Sequence, residues 1–146
     1  MSELVALDTN VYISALRSRE RLLALKRFRL RSGHRMRLSA VVALELRAGA
    51  LTRAHEDAVE ELVAPYLARD LVLGPSFECF VQAGRVLSSL AQRERGSLAD
   101  APRSFINDVL LAASCRENDV TLVSENARDF KTIQRHLRGF RFTSLF

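Results

Sequence analysis

An α/β architecture is expected from this chain: one domain over residues 1–146, built on a mainly parallel sheet of four to five strands with helices on both faces. Short apolar runs of strand length alternate with longer segments of helical period, which is the pattern of βαβ units. Two of those runs stop abruptly in polar residues, Leu7 before Asp8-Thr9-Asn10 and Val123 before Ser124-Glu125-Asn126. In open parallel sheets this carboxyl edge is where ligands bind. With 146 residues, 48% of them hydrophobic, the chain has the size of a single domain with a sizeable core, and no internal repeat or low-complexity tract divides it.

The first strand is Leu4-Val5-Ala6-Leu7. Residues 11–31 follow as helix, broken near Ser18, with Leu22, Leu23, Leu25 and Leu30 among arginines, and Ser32-Gly33 stops it. Met36-Arg37-Leu38-Ser39 is a short second strand. Val41 to Ala50 is helical, and Thr52 opens a polar-faced helix to about Ala64, where Pro65 ends it or begins its last turn. Leu71-Val72-Leu73 is the third strand, closed by Gly74-Pro75.

Ser76 suits the N-cap of a helix from Phe77 to about Arg95, in which Phe77, Phe80, Val81, Gly84, Leu87, Leu90 and Ala91 recur at helical spacing. Gly96 terminates it, and Gly96 to Arg103 reads as an ordered loop. Ser104 is the expected cap of the next helix, Phe105 to Glu117. Val120-Thr121-Leu122-Val123 is the fourth strand, Ala127 to Leu137 a helix, and Phe140-Arg141-Phe142 an edge strand.

Composition narrows the partners. The formal charge is +5. Arg17, Arg19, Arg21, Lys26, Arg27, Arg29, Arg31, Arg35 and Arg37 crowd together with Glu20 alone opposing them, and Arg128, Lys131, Arg135, Arg138 and Arg141 form a second group. Such a surface suits nucleic-acid phosphate or an acidic protein. Cys79 and Cys115 stand apart in apolar surroundings, as reduced core thiols do. No apolar stretch reaches membrane-spanning length and the N-terminus lacks the pattern of a signal peptide, so no membrane association and a cytoplasmic location are expected.

The chemistry is expected at a few acids in apolar company. Asp8 closes the first strand, a position that serves a helix cap as well as a catalytic carboxylate. Glu45 has Val41, Val42, Ala48 and Gly49 as its helical neighbours, and Asp108 shares a face with Leu111, Ala112 and Cys115. Carboxylates turned toward a core are costly unless something positive compensates them, and no lysine or arginine has the matching spacing. Mg²⁺ or Mn²⁺ would compensate all three, since these hard ions take a few carboxylates beside substrate phosphates. At the end of the fourth strand Ser124 offers a hydroxyl, Asn126 an amide and a helix cap, and Asp129 a further carboxylate.

Four blocks carry a resemblance: Leu7-Asp8-Thr9-Asn10-Val11, Leu38-Ser39-Ala40-Val41-Val42-Ala43-Leu44-Glu45-Leu46, Asn107-Asp108-Val109-Leu110-Leu111-Ala112-Ala113, and Leu122-Val123-Ser124-Glu125-Asn126-Ala127-Arg128-Asp129-Phe130. In their succession and spacing the chain resembles the PIN domain, and within it the VapC-like toxin nucleases of prokaryotic toxin–antitoxin pairs. The resemblance implies a PIN-like three-layer sandwich and a Mg²⁺- or Mn²⁺-dependent endoribonuclease. It implies Asp8, Glu45 and Asp108 as the metal-holding acids, Thr9 and Asn10 as the polar pair beside the first, and Ser124 in place of the more frequent threonine. Asn126 stands where many relatives have aspartate, with Asp129 three residues later as the other candidate for the fourth catalytic acid. A homodimer, an RNA substrate and an antitoxin that occludes the site are further implications. Two other classes compete: a PIN-like module that binds RNA without cutting it, and a phosphotransfer domain. The third strand ends Leu73-Gly74 where a receiver needs an aspartate, and a phosphatase's Asp-x-Asp is here Asp8-Thr9-Asn10.

Overall fold

The computed structural model describes residues 3–94 and 102–145. Strand β1 (Leu4–Leu7) leads into α1 (Thr9–Arg17) and α2 (Arg19–Ser32). Ser18 breaks the two helices as its extended backbone closes one and its hydroxyl accepts from the Arg21 N–H. Gly33, at φ 53°, ends α2 in a left-handed conformation that a side chain resists. A single 3₁₀ turn (Gly33–Arg35) precedes β2 (Met36–Ser39), then come α3 (Ala40–Gly49), α4 (Arg53–Ala68) and β3 (Val72–Leu73). Helix α5 (Phe77–Glu94), helix α6 (Arg103–Glu117), β4 (Val120–Val123), α7 (Ala127–Gln134) and β5 (Phe142–Thr143) complete the described chain.

All five strands are parallel, in the order β3-β2-β1-β4-β5. From β1 the chain steps outward to β2 and β3, then returns across the sheet to β4 and β5. With right-handed crossovers, that reversal puts the two sets of connecting helices on opposite faces. The packing agrees: α1 meets α2 and α3, α3 meets α4, and α6 meets both α5 and α7. The sets touch where α3 meets α6. Strands β1 and β4 lie side by side from Leu4↔Val120 to Leu7↔Val123, so Asp8 and Ser124 emerge together at the carboxyl edge. This is the switch point of the sheet, on either side of which the connections run in opposite directions.

The core explains the register. Val5, Ala6, Leu7 and all of β4 are buried, as strands covered on both faces must be. Tyr12, Leu111, Phe130 and Ile133 close over them from the helices. Each large aliphatic side chain so buried contributes about 1.5–3 kcal/mol relative to exposure. Tyr12 and Tyr66 join hydroxyls at 3.0 Å within this core and tie α1 to α4. Cys79 and Cys115 are free and buried.

Several boundaries differ from the sequence expectation. Helix α4 runs through Pro65, which opens its last turn, to Ala68. Helix α6 starts at Arg103 with Pro102 in the cap position, so Ser104 lies inside the first turn and does not cap. The φ of −60° that the proline ring imposes already suits a helix start. Helix α7 stops at Gln134 rather than Leu137, and β5 is shifted to Phe142–Thr143. The cause is Phe140, buried against Phe130 and Phe142 in an aromatic trio after a turn at Gly139, so it enters the core from a loop. The Gly96 stop and the loop up to residue 101 lie outside the described residues. No helix among the described residues is long and apolar enough to cross a membrane.

Candidate active site

At the carboxyl edge Asp8 leaves β1 with 4% of its surface exposed. One carboxylate oxygen accepts the Thr9 N–H at 2.8 Å, the cap expected at a strand–helix junction. The other accepts the Ser124 hydroxyl at 2.8 Å. Ser124 is fully buried and in turn accepts the Asn126 N–H at 3.0 Å and the Asn10 side-chain amide at 3.4 Å. Asn10 accepts the Glu125 N–H at 3.4 Å, which closes the link between the β1 and β4 ends.

Glu45 reaches this edge from α3, which begins immediately after β2, with Ser39 capping it through the Val41 N–H. The Thr9 hydroxyl donates to Glu45 Oε1 at 2.8 Å and aims that carboxylate back toward Asp8. Asp108 arrives from the second turn of α6 and is buried. Asn126 caps α7 by accepting the Asp129 N–H at 3.4 Å, and its amide nitrogen donates to Asp129 Oδ2 at 3.0 Å and Asp108 Oδ2 at 3.4 Å. The eight polar residues singled out from sequence thus lie on one edge, linked by these bonds.

Their charges are not balanced. The ion pairs among the described residues join Arg47 to Glu60 and Arg141 to Glu3 and Asp119, and none involves Asp8, Glu45, Asp108 or Asp129. Burial pushes the Asp8 carboxyl above its usual range, against the opposing hydrogen bonds from Ser124 and Thr9 and with the Glu45 charge adding to the rise. Asp108 is pushed up to about 8, by burial first and then by the charges of Asp8, Glu45 and Asp129. Cys115, pushed to about 12 by burial and by the Asp8 charge, is no nucleophile.

Such a carboxylate set is chemically suited to a hard divalent cation. Among the described residues no three His, Cys, Asp or Glu side chains are already drawn into a ligand shell. That spacing is compatible with Mg²⁺, which keeps several waters and takes only one or two carboxylates directly. The donors are all oxygen, and three acids raise the affinity of the fourth for a positive charge.

Sequence reasoning missed two features. The double donation from Asn126 depends on α6 and β4 meeting, which no local pattern reveals. Beside Glu45 lies a cavity of about 330 Å³ whose walls include Ile13, Leu16, Leu46, Val59, Arg17 and His55. Those residues come from three helices, so no single stretch of the sequence shows it.

A family model for the PIN domain matches residues 5–135. No curated protein matches the chain in sequence. Among solved structures, the chain is similar to the DNA-bound VapBC of Salmonella typhimurium, with 20% identity, 99% of each chain covered and a TM-score of 0.73. It is similar to VapBC-1 of nontypeable Haemophilus influenzae, at 19% identity over 97% of this chain and 98% of that one, TM-score 0.67. It is also similar to FitAcB of Neisseria gonorrhoeae, at 18% identity over 97% and 98%, TM-score 0.67. At such identities the likeness establishes a shared fold.

Proposed function

Because the chain belongs to the PIN-domain family, we propose that it is a metal-dependent endoribonuclease that hydrolyses RNA phosphodiester bonds, as the toxin of a toxin–antitoxin pair. The observation that carries this is the gathering of four acids at the sheet's switch point with no ion pair to any of them among the described residues. Asp8, Glu45 and Asp108 would hold Mg²⁺ or Mn²⁺. When bound, such an ion neutralises charge on the scissile phosphate and acidifies a water for in-line attack on phosphorus.

The chain's own groups do the positioning. Ser124 and the Thr9 N–H hold the two oxygens of Asp8, and the Thr9 hydroxyl holds Glu45, so neither carboxylate must reorganise when the substrate arrives. Without a positive partner Asp108 keeps its proton at neutral pH, and a cation must displace it. Asn10 braces Ser124 from the far side. Exposed Arg19, Lys26 and Arg27 on α2 would hold RNA phosphates without reading sequence.

The chain shares its fold with the structures of VapBC and FitAcB, and an antitoxin is the partner we infer for it. The apolar cavity beside Glu45 supports that reading, because a bound segment there would cover the approach to the acids. We further infer a homodimer working in the cytoplasm. The deciding experiment compares wild type and Asp8→Asn for cleavage of RNA with Mn²⁺, alongside melting curves. Asn caps a helix as well as Asp does but brings no charge to a cation, so cleavage should vanish while the fold persists. Equal cleavage by both proteins would overturn the nuclease reading, and intact RNA binding without cleavage by wild type would leave a binding module.

A further inference from the structure

Asn126 sits between two acids, Asp108 and Asp129. A primary amide has two N–H groups, and here the nitrogen lies 3.0 Å from Asp129 Oδ2 and 3.4 Å from Asp108 Oδ2, while its oxygen faces the Asp129 N–H. Its backbone N–H meets Ser124, whose hydroxyl meets Asp8. The residue therefore meets Asp108 and Asp129 directly and Asp8 through Ser124. A cation needs oxygen lone pairs, and an N–H edge presents the opposite polarity. Aspartate in this place would present a fifth carboxylate to the same space; asparagine presents a donor to each neighbour.

We propose that Asn126 is a positioning residue that sets cation number: its amide clamps Asp129 to Asp108, keeps Asp129 from serving as a ligand, and limits each chain to one divalent cation at Asp8, Glu45 and Asp108. The proposal rests on the metal-dependent reading of the site. It makes the chain a one-ion centre in which Asp108 is oriented by a neutral clamp rather than by a second ion.

The test counts Mn²⁺ on the full chain by calorimetry and by electron paramagnetic resonance of the unbound ion. Wild type should take up one ion. Asn126→Asp keeps the helix cap and the side-chain shape, since the two residues cap about equally, but replaces the donor by a carboxylate. It should take up two ions, melt lower than wild type when metal-free, and gain more from added Mn²⁺. Asp129→Asn should keep the single ion with only slightly lowered affinity, because a nearby charge is lost but no ligand, and this variant decides the matter should Asn126→Asp fail to fold. Two ions on wild type, one ion on folded Asn126→Asp, or a large loss of affinity in Asp129→Asn would each overturn the clamp. No Mn²⁺ on wild type would overturn the metal-dependent reading together with the clamp, whereas one bound ion without RNA cleavage would overturn the nuclease reading alone.

Discussion

Asp108 links the site's electrostatics to the stability of the protein. Its carboxyl is held near 8 in the fold, against about 3.9 for an unperturbed aspartate. Between those values the folded chain binds more protons than the unfolded one, so stability falls as pH rises across that window. In chelator the protein should melt higher at about pH 5.5 than at about pH 8, and Asp108→Asn should flatten the difference. Saturating Mn²⁺ should raise the melting temperature most at the alkaline end, where the ion no longer competes with a proton. Ser124→Ala is expected to cost about 1–3 kcal/mol in urea denaturation, because it leaves a buried Asp8 oxygen and the Asn126 N–H without their partner. At this scale Asp8, Glu45 and Asp108 were legible because a charge among apolar neighbours is conspicuous in any sequence. The bond from Thr9 to Glu45 was not, since its ends are 36 residues apart.

Helix α2 and the segments beside it carry the larger basic cluster of the chain. Nine basic residues were grouped from sequence, but the fold divides them. Arg35 donates to the carbonyls of Ser32, Arg31 and Glu3, Arg37 donates to those of His34 and Met36, and Arg29 lies over the Tyr66 ring. Arg35 thus closes the C-terminal end of α2, where carbonyls lack partners and cations are favoured, while Arg37 braces the turn that follows and Arg29 packs on α4. Arg35→Ala should therefore lower stability by about 1 kcal/mol with little effect on RNA affinity. Lys26→Glu combined with Arg27→Glu should instead leave the melting curve nearly unchanged and reduce the salt dependence of RNA binding, measured by titration over a range of salt concentrations. An unchanged salt slope would move the RNA contact off α2. The strands were read more surely than the helix ends: β1, β2 and β4 begin and stop where the apolar runs do, whereas the end of α7 depends on Phe140 packing from a loop.

Across the molecule, the βαβ alternation made the parallel sheet legible, while the strand order was beyond local patterns. Neighbouring strands β1 and β4 are separated by most of the chain, and the site lies across that seam. Asp8 and Ser124 are 116 residues apart, yet share a hydrogen bond. The seam also bears on how the protein is made. A growing chain released up to α5 holds Asp8 and Glu45 but neither Asp108 nor the strand that orients Asp8. Contacts so distant in sequence form late, after the loop between them has closed. A nascent product that stops before α6 thus lacks both Asp108 and the Ser124 hydroxyl that holds Asp8, and on the nuclease reading it should cut no RNA until β4 has been made and has paired with β1.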